Sequence, residues 1–116
     1  MIKCIYHQRN IILCGGANGN KYEIIALDHS SLSVSNRVLL LGHTDEITSL
    51  ATCEINGQLY ICSGSKDKTV RIWNLNNSKE INRTMHENKV TCVVAHKINN
   101  KDVFLSCDDS NKIRIT

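Results

Sequence analysis

The stretch SGSKDKTVRIWNL, Ser63 to Leu75, places a serine, an aspartate and a tryptophan where simple apolar/polar alternation does not call for them: Ser63, Asp67 and Trp73. Together with one of the chain's five histidines, Ser63 and Asp67 supply the residue types of a nucleophilic triad, in which an imidazole takes the serine proton and a carboxylate orients the imidazole. That chemistry needs an exposed nucleophile and an oxyanion hole, and the sequence offers no sign of either. Cys14–Lys21, CGGANGNK, is glycine-rich as phosphate loops are. It lacks the G-x-x-x-x-G-K-[ST] pattern and a strand-to-helix context, so a long hairpin turn is expected there. The six cysteines form no C-x-x-C pair and no zinc-finger spacing, and His7, His29 and His96 stand alone, so no metal site is expected. Cys53 and Cys62 flank one hairpin and are expected as two thiols packed near each other on a sheet. Turn chemistry accounts for Asp108-Asp109 without a cation. With no nucleophile–base pair, metal set or phosphate loop left standing, the chain is expected to be non-catalytic and to carry no cofactor.

The elements that position these residues are constrained first by size and charge. A chain of 116 residues, 41% of them hydrophobic, has the length of one domain and can bury an ordinary core. The net charge of +3 comes from 14 basic and 11 acidic residues dispersed along the chain, not from a basic stripe, so direct nucleic-acid binding is not expected. The first residues, MIKCIYHQRN, lack the apolar region of a signal peptide, and no run reaches the length of a membrane span. With the cysteines unpatterned, the expected setting is a reducing intracellular compartment, cytoplasmic or nuclear, with no membrane insertion.

Short runs of strand formers alternate with turn residues: ITSLATC (Ile47–Cys53), QLYICSG (Gln58–Gly64) and TVRIWNL (Thr69–Leu75). Several such runs bounded by Asn, Gly, Asp and Ser predict an all-β architecture. The chain also repeats itself. Shifted so that His43 falls on His86, it sets Ile47 on Val90, Thr48 on Thr91, Leu50 on Val93, Ser63 on Ser106, Val70 on Ile113, Arg71 on Arg114 and Ile72 on Ile115, with no gap. A period of about 43 residues, built of four short strands, is the signature of propeller blades.

LGHTDEITSL, followed by YICSGSKDKTVRIWN, resembles a repeat of the WD-repeat β-propeller family. The resemblance rests on Gly42-His43, on Ser63-Gly64-Ser65, on Asp67 in the tight turn, and on Trp73-Asn74 where the family usually ends in Trp-Asp. The copy that follows keeps His86 and Ser106 but carries Ser110 at the aspartate position and Thr116 at the tryptophan position. An earlier copy begins with Ile2 and Ile5 and has Asn18 near the aspartate position. The expected architecture is an incomplete propeller of about three blades, each of four antiparallel strands: blade one at 1–41, blade two at 42–85 and blade three, lacking its outer strand, at 86–116. The resemblance implies that His43, Ser63, Asp67 and Trp73 form a hydrogen-bonded structural network.

The resemblance further implies a rigid platform that binds other proteins inside an intracellular complex. The expected partner-binding rim lies where interblade loops and hairpin tips converge, at Thr44, Asp45 and Glu46 beside Lys66 and Lys68, and at Glu87 and Asn88 beside Asp108 and Asp109. An alternative expectation is a non-catalytic subunit of an RNA-modifying or RNA-processing complex, with Lys66, Lys68, Arg71, Lys112 and Arg114 as a mildly basic strip. The unpaired edge at Lys112–Thr116 is expected to favour self-association or strand addition.

Overall fold

A computed structural model describes the backbone of residues 2–8, 11–18, 21–28, 37–110 and 112–115, and the side chains of residues 15–16, 22–25, 39–110 and 112–115. Expectations about the side chains of Cys4, His7, Cys14, Asn18 and His29, and about Thr116, lie outside these residues. The described chain is all-β, as its turn-punctuated runs predict. β1 (Ile2–Gln8), β2 (Ile11–Asn18), β3 (Lys21–Asp28) and β4 (Arg37–Leu41) pair in sequence order as one antiparallel sheet. β5 (Ile47–Ile55), β6 (Gln58–Ser65), β7 (Thr69–Asn74) and β8 (Lys79–Met85) form the second sheet. β9 (Val90–Ile98), β10 (Lys101–Asp108) and β11 (Ile113–Ile115) form the third, with β11 at its edge. Among the described residues no helix is long and apolar enough to cross a membrane.

The hairpins close where the sequence supplies residues tolerant of left-handed backbone. Asn56 and Gly57 take φ of 52° and 78° between β5 and β6, and Asn99 and Asn100 take 52° and 63° between β9 and β10. Two successive left-handed residues match the twist of the flanking strands.

The three sheets stack into a slab of 40 × 39 × 20 Å. Side-chain alternation sends the residues of the second sheet to both of its neighbours. Ile47, Leu50, Ile61 and Trp73 pack with Ile24 and Leu40 of the first sheet. Ala51, Cys62, Val70 and Ile72 pack with Val90, Val93 and Phe104 of the third. β7 is therefore buried along its whole length. Burying a side chain the size of Ile61 or Val70 stabilises the fold by about 1.5–3 kcal/mol. Among the described residues nothing packs on the outward face of the third sheet, where Val94, Ile113 and Ile115 are 45%, 69% and 64% exposed.

The approach of the third sheet depends on Gly64. A Cβ built there meets Val90 Cγ1 at 2.6 Å and Val93 Cγ1 at 3.1 Å. Gly64→Ala is expected to push β9 away and cost about 1–3 kcal/mol, the usual range for an overpacked core. Urea unfolding followed by Trp73 fluorescence measures this, and an unchanged midpoint would show that the sheets are not held so closely.

Candidate functional site: buried histidine networks beneath a loop rim

His43 lies in the segment that leads from β4 into β5, Ser63 lies in β6, Asp67 lies in the β6–β7 turn and Trp73 lies in β7. The structure brings all four together. His43 Nδ1 is 2.8 Å from Asp67 Oδ2, and His43 Nε2 is 2.6 Å from Ser63 Oγ. Trp73 Nε1–H donates to Ser63 Oγ at 2.9 Å. The donor chemistry fixes the direction of the chain. A carboxylate only accepts and an indole N–H only donates. A neutral His43 therefore carries its hydrogen on Nδ1, Ser63 accepts from the indole, and the serine hydroxyl donates to Nε2.

Asp67 collects further donors. The Thr44 amide donates to Oδ2 at 3.0 Å, the Thr69 amide to Oδ1 at 2.9 Å, and the Thr69 hydroxyl to the same Oδ1. Burial pushes the Asp67 carboxyl up, but the hydrogen bonds from His43, Thr69 and the Thr44 amide outweigh it and hold the group well below the usual carboxylate range. Ser65 ties the turn to the incoming loop, donating through Oγ to the carbonyls of Asp45 and Glu46 at 3.1 and 2.8 Å and accepting from the Asp67 amide at 3.1 Å.

Arg71 belongs to this site and not to a basic strip. Only 6% exposed, it sets Nη2 3.9 Å from Asp67 Oδ2 and Nη1 3.3 Å from Glu80 Oε1, and its Nε donates to Thr69 Oγ1. The signal that the sequence carries is spacing alone: Arg71 stands two residues from Trp73 and so shares its strand face. Its guanidinium also fills the space beside Gly42, where a Cβ would come within 2.6 Å of Nη1.

The third sheet corrects one sequence expectation. Ser110 does not leave the second copy without a carboxylate, because Asp108 supplies it from two positions earlier. His86 Nδ1 is 3.0 Å from Asp108 Oδ2 and His86 Nε2 is 2.8 Å from Ser106 Oγ. Ser110 donates to Asp108 Oδ1 through both its hydroxyl, at 2.6 Å, and its amide, at 2.9 Å. The triplet Ser65-Lys66-Asp67 in one turn thus becomes Asp108-Asp109-Ser110 in the next, with acid and hydroxyl exchanged. The hydrogen bond from the Ser110 hydroxyl, helped by His86 and by the amides of Ser110 and Lys112, overcomes burial and depresses the Asp108 carboxyl. Asp108 was expected on the rim. At 2% exposure it is an inward group instead.

The remaining rim residues gather above these networks. Thr44, Lys68, Glu87, Asn88 and Asp109 are exposed, and Asp45, Glu46 and Lys66 are half-buried. Lys66 pairs with Glu46 at 2.8 Å, and Lys112 with Glu87 at 3.1 Å. Backbone bonds tie the loops: Lys66 N–H to the Glu46 carbonyl, His86 N–H to that of Lys68, and Asp109 N–H to that of Lys89. Cys53 stands opposite Tyr60 and Cys62 opposite Ala51, so those two thiols are diagonal neighbours rather than a facing pair. Burial pushes the Cys62 thiol up to about 12. Among the described residues no group of three or more His, Cys, Asp or Glu side chains could hold a metal ion. Ser63 is fully buried, its oxygen already engaged by His43 and Trp73.

These sheets and networks define the class. Residues 33–74 match the WD40 family, "WD domain, G-beta repeat", so the chain carries a WD repeat there, and its fold is that of an incomplete β-propeller. The matched segment takes in β4 together with β5, β6 and β7, so one sequence repeat spans parts of two sheets. The chain superposes on the β-propeller domain of Cps50 (Swd1) from Myceliophteria thermophila with a TM-score of 0.77 and 20% identity, covering 98% of this chain and 34% of that one. In sequence it is 30% identical over 83 residues, 69% of its length, to the Ribosome biogenesis protein YTM1 of Saccharomyces cerevisiae, in strains YJM789 and ATCC 204508 / S288c. The match covers only 17% of those relatives.

Asp67→Ala is expected to strand His43 Nδ1 and the Thr44 and Thr69 amides, at about 1–3 kcal/mol for each group left buried without a partner. A urea midpoint equal to the parent's would show that the network holds nothing together. Because both carboxyls titrate below their unfolded values, their contribution is complete above a pH of about 5 and is lost progressively as the pH falls through the unfolded-state value of about 4. Urea midpoints are expected to stay level from neutral pH down to about 5, then drop. Asp67→Asn should flatten that drop, and a steeper one would contradict the assignment.

Proposed function

We propose that this chain is a non-catalytic protein-interaction platform within an intracellular multiprotein complex. The observation that carries the reading is a division of labour among polar groups. The Ser, His and Asp side chains that resemble a catalytic set are consumed by internal hydrogen bonds. The polar groups left to solvent at that end are charges of both signs on tied-down loops. Thr44, Asp45, Glu46, Lys66, Lys68, Glu87, Asn88 and Asp109 form the binding rim, which suits a protein surface patterned with complementary charge. The exposed apolar residues Ile113 and Ile115 beside the β11 edge support self-association or strand addition as a second mode of contact.

The likeness to a relative named for ribosome biogenesis favours a more specific reading, in which the complex processes RNA. In that reading the platform still contacts protein. Arg71 is buried, while Lys66 and Lys112 are paired with Glu46 and Glu87, which leaves little of a basic strip for phosphates.

Charge reversal at two exposed rim positions, Lys68→Glu with Asp109→Lys, tests the proposal. Partner retention in affinity purification should fall while the urea midpoint stays within about 0.5 kcal/mol of the parent, as for surface substitutions generally. Retention should weaken only moderately as salt rises, because the rim charges are local and of both signs. Binding that collapses between low and physiological salt and transfers to naked RNA would replace the protein platform with an RNA-binding surface.

A further inference from the structure

We propose that Cys92 and Cys107 form a redox-responsive pair that closes to a cross-strand disulfide on the face of the third sheet turned away from the second. The two residues stand directly opposite each other on β9 and β10. Facing residues of an antiparallel pair have Cα atoms about 4.5–5.5 Å apart, inside the window of about 4.4–6.8 Å that a disulfide spans. Their neighbours Val93 and Phe104 point into the interface with the second sheet. Alternation therefore turns Cys92 and Cys107 outward, to the side that carries Val94 and Ile113. Cys92 is exposed, Cys107 is half-buried, and both are free thiols. Each sulfur makes a long contact to a backbone carbonyl, 3.9 Å from Cys92 to Val93 and 3.7 Å from Cys107 to Asp108.

The second sheet shows what this position holds when it is used for packing. The corresponding facing pair there is Ser49 and Gly64. Ser49 Oγ accepts from the Val93 amide at 3.1 Å, and Gly64 leaves the space that Val90 and Val93 occupy. At that place in the third sheet the glycine is replaced by a cysteine, and the hydroxyl opposite by a second one. Two outward thiols stand where the neighbouring sheet has a snug, hydrogen-bonded junction. Among the described cysteines only these two face one another in register.

Hydrogen peroxide is a sufficient oxidant. The Cys92 thiolate attacks one peroxide oxygen, the O–O bond breaks, and hydroxide leaves and is protonated to water, giving a sulfenic acid. The Cys107 thiolate then attacks that sulfur, the S–O bond breaks with loss of a second hydroxide, and the S–S bond forms. Two thiols give up two electrons and two protons, and one peroxide becomes two waters. Exchange with a small thiol reverses the step. The closed bond would tie β9 to β10 beside Ser106 and Asp108, and so beside the His86 network.

The test uses the full chain, folded at neutral pH as judged by Trp73 emission, treated with hydrogen peroxide, alkylated and digested with trypsin. Val90–Lys97 and Asp102–Lys112 should appear as one linked species, lighter by two hydrogen atoms than the two peptides together and released by reductant. The link should form about tenfold faster in the folded chain than in urea, because the fold raises the effective concentration of the second thiol. Cys107→Ser should abolish it and leave a trappable sulfenic acid on Cys92. Equal rates in urea, links mainly to Cys53, Cys62 or another chain, or over-oxidation of Cys92 with Cys107 untouched would each overturn the proposal.

Discussion

A carboxylate taken out of water must have its lone pairs met by donors, because the lost hydration is worth several kcal/mol and nothing apolar replaces it. The Asp67 side chain is 4% exposed, and its donors come from separate parts of the chain. His43 and Thr44 bring the loop that enters the second sheet, Thr69 brings the start of β7, and Arg71 brings a compensating charge from within that strand. Satisfying one side chain thereby fixes where a loop, a turn and a strand meet. From His43 the constraint runs on through Ser63 to Trp73, whose ring fills the core against Ile24 and Leu40. The polar network and the apolar core are parts of one arrangement, since the indole belongs to both.

The two networks also separate what the architecture requires from what it tolerates. A histidine ahead of the first strand and a serine in the second recur at matching places. The acid does not: it sits at Asp67 in one turn and at Asp108, two positions earlier in the repeat, in the other. Both carboxylates nevertheless reach the Nδ1 of their histidine within 3.0 Å. The requirement is for negative charge at a point in space, and a tight turn can deliver it from more than one place along the chain, provided a hydroxyl takes the place vacated.

This explains how far the sequence could be followed. The strands of the second sheet were legible because short β-branched runs end at Asn, Gly and Asp, and because a repeat without gaps aligned them with later residues. Aligning by position set Ser110 against Asp67, but sequence spacing carries no record of which turn residue points inward, so Asp108 looked like a rim residue. The burial of Arg71 is hidden from the sequence for a related reason. A charged residue ordinarily marks the solvent side of a strand, whereas β7 has no solvent side, because neighbouring sheets cover both of its faces. Alternation tells one face from the other without telling whether the second is covered. That depends on contacts between units, and it surfaces in the sequence only indirectly, in residues such as Gly64 whose smallness has no local cause.

The phase of the repeat against the sheets has a consequence for inheritance and breakage. The segment 33–74 opens ahead of β4, an edge strand of the first sheet, and ends with β7 of the second. A duplication or deletion of that length therefore does not add or remove a finished sheet. It moves one sheet's margin together with the inner strands of the next, so every junction stays bridged by continuous backbone. Cutting the chain between such units strands a margin from its sheet on one side and leaves inner strands uncovered on the other. Units of this kind can be gained or lost in whole numbers with their junctions kept, whereas a cut between two of them damages both neighbours.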